Sequence, residues 1–195
     1  MRIAIVGVGK MGTGFAAALA GTHDVVLGSR DPRKASSAAA RTGAGAADSY
    51  ADAAAGADVV FLTVPGKAMD ETIARLGTVG SVVVDVSSPY SRAEREALKG
   101  RSVAELVQTR LPNARVVKAW NHVFARYLTD PEVHGIASSV LIAGDDAAAK
   151  RTVSRLAGDM RFHPVDVGPL KAARDLEALA GTMLFVKLGR FRVPS

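Results

Sequence analysis

Cysteine is absent from the 195 residues, which excludes disulfides, thiolate nucleophiles and iron–sulfur ligation and is compatible with a reducing compartment. Histidine is sparse: His23, His122, His134 and His163 stand far apart, without metal-ligand spacing, so no metal site is expected. Aromatic residues amount to only 5%, and no basic strand is interleaved with them. The formal charge of +6 is therefore read as solvated surface, focused in part toward an anionic ligand, and no nucleic-acid partner is expected. Long apolar runs are missing too. The stretch from Leu179 to Leu188 is too short to span a bilayer and contains Lys187. The apolar N-terminus loosely imitates a secretory signal, but Lys10 and several glycines interrupt it. A soluble, cytoplasmic protein without a membrane partner is the expectation. What is left, 48% hydrophobic and 23% charged residues, is the composition of a globular protein with a substantial core.

The most informative segment is Gly7-Val8-Gly9-Lys10-Met11-Gly12. It lies between Arg2–Val6, which reads as a buried strand, and Met11–Ala20, which reads as an alanine-rich helix. The first glycine permits a sharp turn, and the second leaves bare backbone for a pyrophosphate. The third lets the helix pack tightly on the strand, while the helix presents its free N–H groups to the phosphates. The next strand, His23–Gly28, ends in Ser29-Arg30. NAD-selective folds place a carboxylate there, about 20 residues past the glycines. A hydroxyl and a guanidinium suit a 2′-phosphate instead, because Arg forms paired, charge-assisted bonds to phosphate oxygens. Lys34, one helical turn on, adds a second cation. Asp31-Pro32 reads as a helix N-cap with proline at the first helical position, and not as a displaced ribose-binding acid. The coenzyme predicted is NADP(H).

Strand and helix signals alternate through the rest of the chain. Helices are expected over Pro32–Arg41, from Ser49, and over Lys67–Leu76, the last ended by Gly77. A short strand near Ala44–Ala47, an apolar one at Asp58–Pro65, one at Ser81–Val86 and one at Arg115–Ala119 complete six parallel strands. Ser91 with Glu94, and Ser102 with Glu105, are capping boxes for two short helices. Ser138–Ala143, a helix from Asp146 to about Gly158 and Arg161–Val167 add a β-α-β piece at the sheet edge. A long helix follows from Pro169, with Leu176, Leu179, Met183 and Val186 on one face and Arg174 and Glu177 on a more polar side. The fold class is thus α/β, a doubly wound Rossmann sheet with an appended β-α-β edge and a long C-terminal helix. Residues 1–167 form the NADP-binding domain, and 168–195 form a helix expected to serve a homodimer or a second substrate.

In such sheets ligands bind at the carboxyl ends of the strands. Thr63-Val64-Pro65, Asp85-Val86-Ser87-Ser88-Pro89 and Trp120-Asn121-His122-Val123 end three of them. Asn121 and His122 are the catalytic candidates: either could orient a carboxamide or a substrate carbonyl, and His122 could donate a proton. Alternatively both only satisfy loop backbone groups. Trp120 reads as core. Asp85 could be catalytic or could tie down backbone N–H groups. No Ser-His-Asp set is present and no Tyr-x-x-x-Lys pair of the short-chain dehydrogenase kind, whereas alcohol oxidation needs a group to remove the hydroxyl proton. Hydride transfer between two redox rings mostly requires them to be stacked.

Four blocks resemble the NADPH-dependent coenzyme F420 reductase family (F420:NADP oxidoreductases): Val6–Gly12, Gly28-Ser29-Arg30 with Lys34-Ala35, Val117–Asn121, and Asp166–Leu170. The resemblance implies a small Rossmann protein that exchanges hydride between NADP(H) and an 8-hydroxy-5-deazaflavin. Carried over by position, its NADP contacts fall on Val8, Gly9, Lys10, Met11, Gly12, Ser29, Arg30, Lys34, Val64, Asn121 and Val123. The cytosolic domain of the six-transmembrane metalloreductases is similar in the same blocks, which keeps FMN or FAD, a quinone or a ferric complex open as the acceptor. Two other functions compete: a non-catalytic NADPH sensor or interaction protein, and a carbonyl or imine reductase using His122 or Asp85.

Overall fold

Ile3 and Ile5 point into one apolar layer while Ala4 and Val6 point into another, so the first strand has no polar face. That is the signature of a parallel strand covered on both sides. The computed structural model describes residues 1–187, with side-chain surroundings given through Met183. The order begins β1 (Arg2–Val6), α1 (Lys10–Leu19), β2 (Asp24–Gly28), α2 (Pro32–Thr42), β3 (Gly45–Ala46), α3 (Tyr50–Ala54), β4 (Val59–Leu62) and α4 (Met69–Leu76). It continues with β5 (Val82–Asp85), α5 (Arg92–Ala97), α6 (Val103–Arg110), β6 (Arg115–Lys118), β7 (Glu132–Val133) and β8 (Ile136–Ala137). Last come β9 (Ser139–Gly144), α7 (Ala147–Asp159), β10 (His163–Gly168) and α8 (Ala173–Lys187).

Eight strands form one sheet in the order β10-β9-β6-β5-β4-β1-β2-β3. The first six are parallel in the expected doubly wound order. The β9-α7-β10 unit is the appended edge: β10 runs parallel to β9, and β9 runs antiparallel to β6. Helices α1, α2 and α7 cover one face, with Phe15, Leu19, Ala38 and Val153 in its core. Helices α3, α4 and α6 and the start of α8 cover the other, with Tyr50, Met69, Ile73, Val107 and Ala173. From β1 the chain crosses to β2 on the first face, and from β4 it crosses to β5 on the second. A crevice therefore opens between the carboxyl ends of β1 and β4.

Local chemistry explains most boundaries. Asp31 accepts the Arg33 N–H and Pro32 opens α2, while Gly43 closes it at φ 75°. Both capping boxes, Ser91/Glu94 and Ser102/Glu105, are formed. Three expectations are corrected. The helix expected from Lys67 begins as a 3-10 turn over Gly66–Ala68, and α4 proper starts at Met69, because the chain leaving β4 turns tightly with the Ala68 N–H bonded to Pro65 O. The last strand starts at His163 and not at Arg161, which takes a left-handed φ of 62° behind α7. The β7–β8 hairpin was not foreseen; its turn residues His134 and Gly135 have φ of 53° and 77°, the primed-turn geometry that joins two short strands.

The C-terminal helix is corrected more deeply. Glu177, assigned to a polar side, is buried, as are Leu176 and Ala180, whereas Leu179 is exposed. Val186 lies outside the residues whose side chains are described, and so do residues 188–195. The apolar stripe on which a homodimer was expected is thus divided between core and solvent. Arg174 holds α8 to α6 with two bonds to Glu105, at 2.8 and 2.7 Å. No helix among the described residues is long and apolar enough to cross a membrane.

Two predictions follow from this geometry. A Cβ on Gly12 would stand 1.9 Å from Gly7 O, whereas one on Gly9 would meet nothing within 4 Å. Gly12→Ala should lose about 1–3 kcal/mol or more in urea unfolding, and Gly9→Ala should unfold at nearly the wild-type midpoint. The hydrogen bonds from Arg174 hold Glu105 down from the usual 4.5 to about 2. A depressed carboxylate stabilises the fold above its unfolded value and loses that contribution as pH falls from about 4.5 toward 2. Arg174→Met should flatten the acid limb of stability in that window, lowering stability at neutral pH and converging on the wild type as pH nears 2.

Candidate functional site

The first part of the site is bare backbone. Gly7 takes φ 110°, a conformation that side chains rarely adopt. Gly9 is the N-cap of α1 with no side-chain cap, and the first turn carries no acid. The α1 N-terminus is therefore open to an anion. Open space over Gly9 and contact of Gly12 with Gly7 O match the separate roles of the second and third glycines. Val8, Met11 and Val123 pack partly buried against one core, and Val64 against the other. Lys10 is exposed at the first position of α1.

Thr63, read from the sequence only as the end of a strand, holds this turn in place. Its Oγ1 donates to Val6 O at 2.9 Å and reaches Gly7 O at 3.1 Å, and the same oxygen lies 2.8 Å from the Cβ positions of Gly7 and Gly12. The end of β4 thus braces the glycine turn through a single hydroxyl. The recognisable signal was its place: a β-branched alcohol at the end of the strand beside β1.

The second part lies at the end of β2. Ser29 is buried and its Oγ accepts the Asp31 N–H. The Arg30 side chain is 63% exposed and stands 3.6 Å from Glu71, which also holds Arg75 at 3.1 Å. Ser29, Arg30, Asp48, Ser49, Tyr50 and Arg75 line a cleft of about 230 Å³. Arg30 is therefore not alone: α4 brings a second guanidinium to the same cleft, and no motif marks it. Burial pushes the Tyr50 hydroxyl pKa up against the opposing pull of Arg30 and Arg75. Lys34 is exposed on the first turn of α2. A wider hollow of about 610 Å³, lined by Asp58, Ser81 and Arg115 among others, lies at the opposite end of the sheet and contains none of these residues.

The third part follows β5 and β6. Trp120 has φ 54°, an outlier for a bulky residue whose strain costs about 1–3 kcal/mol. Its ring is fully buried against Phe15 and Phe61, with centroids 5.4 and 5.7 Å apart, and that burial offsets the strain. The turn sends the Trp120 ring into one core while Asn121 reaches the other face. Asn121 is buried, and its Nδ2 donates to Ser88 Oγ at 3.0 Å and to Leu176 O at 2.8 Å. His122 Nε2 lies 3.2 Å from Ser139 O, so the proton is assigned to Nε2 and a lone pair to Nδ1. Burial lowers its pKa. The Nε2 bond ties the His122 ring to β9, and burial favours its neutral form. Asp85 likewise ties down backbone, accepting the Ser87 N–H at 2.9 Å.

Polar atoms nevertheless remain open here. Among the described residues, six buried side-chain polar atoms lack a partner, and four of them are Ser87 Oγ, Trp120 Nε1, Asn121 Oδ1 and His122 Nδ1. Buried polar groups are costly unless bonded; the Trp120 ring lies in the opposite core and His122 against β9, so it is Ser87 Oγ and Asn121 Oδ1 that fit a polar ligand. The glycine turn offers an anion cradle, the 29–30 corner offers cations, and these loops offer hydrogen-bonding atoms. A dinucleotide carrying a 2′-phosphate and a carboxamide ring has the matching groups, so the residues present fit NADP(H).

A family model described as NADP oxidoreductase, coenzyme F420-dependent, matches residues 2–89. The metalloreductase STEAP3 of Rattus norvegicus is 34% identical over 187 residues, covering 91% of this chain. This chain spans only 36% of that relative. The F420-dependent NADP reductase of Methanocaldococcus jannaschii is 31% identical over 204 residues, covering 94% of this chain and 91% of that protein. A solved structure from Arthrobacter sp. FB24, a candidate F420-dependent NADP-reductase, superposes with a TM-score of 0.86 at 30% identity, covering 97% of this chain and 95% of the other. The chain is accordingly an NADP-dependent oxidoreductase and belongs to the family of coenzyme F420-dependent NADP oxidoreductases.

Proposed function

We propose that this protein transfers hydride between NADP(H) and the deazaflavin coenzyme F420. The observation that carries this reading is the set of coenzyme-matching groups at the carboxyl ends of the parallel strands: the Arg30 and Arg75 cleft after β2, bare Gly9 after β1, and the unpartnered atoms of Ser87 and Asn121 after β5 and β6. The relatives named F420-dependent NADP reductases support the acceptor.

When bound, NADPH supplies the hydride, and the deazaflavin ring accepts it together with a proton from solvent. The protein's part is binding and alignment. Gly7, Val8, Gly9, Lys10, Met11 and Gly12 take the pyrophosphate. Ser29, Arg30 and Lys34 take the 2′-phosphate, and Arg75 adds a guanidinium beside them. Val64 and Val123 wall the ring, and Asn121 Oδ1 accepts from its carboxamide. In the resting pair, Glu71 stands where phosphate oxygens would satisfy Arg30. An ion pair this exposed contributes less than about 1 kcal/mol, so a phosphate displaces it at small cost. His122, neutral and bonded to β9, shapes the loop. No proton-transfer group is required of the chain.

Two measurements test this reading. Fluorescence titration should find NADPH preferred over NADH, with Arg30→Ala losing about 1–3 kcal/mol of that preference and Arg75→Met losing less. Equal affinity for the two coenzymes in the wild type would sink the assignment of the 29–30 corner. Anaerobic mixing of the enzyme with NADPH and oxidised F420 should bleach the deazaflavin absorbance, and Gly9→Ala should abolish it. Steady NADPH oxidation with FMN and none with F420 would make the protein a flavin reductase instead.

A further inference from the structure

Two carboxylates and one ammonium are shut away together at the ends of β5 and β6. Lys118 is 0% exposed and Asp85 0%, with Glu177 of α8 at 5%. The Lys118 Nζ donates to Asp85 Oδ2 at 2.8 Å, to Glu177 Oε1 at 2.7 Å and to the Ser87 carbonyl. Glu177 also accepts the Val103 N–H with both oxygens, at 2.9 and 3.1 Å. Among the described residues no second cation bonds to either acid. The neighbouring Glu105 and Arg174 neutralise each other at the surface, 2.7 Å apart. The cluster's formal charge, one positive and two negative, is therefore −1.

This excess charge adjoins the ring end of the proposed coenzyme site. The Ser87 N–H is held by Asp85 and its carbonyl by Lys118, while its Oγ is buried without a partner. Asn121, whose Oδ1 is likewise open, bonds through Nδ2 to Ser88 Oγ and to the carbonyl of Leu176, the residue beside Glu177. Ser87 is thus bonded directly to the charged cluster, and Asn121 to the residue beside Glu177. A nicotinamide ring is cationic when oxidised and neutral when reduced. Buried charge acts on it through a medium far less polarisable than water.

We infer that the Asp85–Lys118–Glu177 cluster biases the site toward the oxidised coenzyme, with Glu177 as the positioning residue that supplies the excess negative charge. The inference rests on the NADP(H) reading above. It gives the cluster a role in the reaction: a site that favours NADP⁺ makes bound NADPH a stronger hydride donor. Burial raises the pKa of Glu177 against the opposing pull of Lys118, with Asp85 adding to the rise. A proton held there must leave before the charge can act, so the preference for NADP⁺ strengthens as pH rises.

The test is a pair of dissociation constants, for NADP⁺ and for NADPH, measured by calorimetry on wild type, Glu177→Gln and Arg174→Lys. Glutamine keeps an oxygen for Lys118 and the Val103 N–H but removes the charge. It should weaken NADP⁺ roughly tenfold relative to NADPH, which raises the potential of the bound two-electron couple by about 30 mV. Arg174→Lys keeps the charge that balances Glu105 but gives up the paired bonds that hold α8 to α6, and should leave the ratio of the two constants unchanged. A Glu177→Gln protein that binds both forms more weakly by the same factor, or with an unaltered ratio, overturns the inference and leaves the cluster purely structural. Should that variant fail to fold, Asp85→Asn makes the same charge change and carries the same expectation. Failure of the wild type to bind either coenzyme would instead overturn the NADP(H) reading itself.

Discussion

The ammonium of Lys118 must find three acceptors away from water, and it finds them on three different segments. One is the end of β5, one the loop after it, and one the middle of α8. The net stability of such a cluster is small, since desolvation of the charges consumes most of their attraction. Its consequence is geometric. Glu177 also reaches the Val103 N–H at the start of α6, so β5, β6, α6 and α8 share one set of bonds. The loop at Ser87 is held at both its N–H and its carbonyl and has no freedom to swing. The atoms it offers to a ligand are fixed before the ligand arrives, which is how orientation lowers a barrier without a proton-transfer group.

The other half of the coenzyme edge follows a different principle. Between β1 and α1 the chain recognises by omission: no side chain caps the helix, no acid sits in its first turn, and nothing stands over Gly9. The N–H groups and the partial positive charge of the helix start are left for an anion. Omission alone would leave a loose turn. Thr63 removes the slack from the neighbouring strand, filling the space that a Cβ at Gly7 or Gly12 would need. The two halves meet at the β1–β4 crevice. Bare backbone lies at the start of α1, and a rigid, charge-bearing layer lies at the ends of β5 and β6. The strained turn at Trp120, anchored by Phe15 and Phe61, joins the ring-side layer to the opposite core.

The first six strands, their covering helices and the glycine turn were legible in the sequence because each rests on local rules: two-sided apolar strands, capping residues and a motif of fixed spacing. Asp31 as a cap and Ser91/Glu94 as a box need only their neighbours within a turn of helix. The residues that escaped act across long separations. Arg75 joins Arg30 in one cleft only because α3 and α4 pack behind the end of β2. Thr63 reaches Gly7 because β4 pairs with β1. Glu177 looked solvent-facing by helical periodicity, since no local pattern reveals a buried lysine waiting on another strand.

The sequence by itself therefore determined six parallel strands, their direction and the glycine turn at their carboxyl edge. Periodicity, capping and the Ser29-Arg30 corner are written within a few residues of one another. Only the tertiary structure decided how charge and hydrogen-bonding atoms are distributed around that edge. It tied His122 to β9, left Asn121 Oδ1 buried without a partner, and buried two acids against one lysine. The physical reason is that the cost of burying a polar group depends on partners brought from distant segments, and those partners exist only once the sheet and its last helix have closed around them.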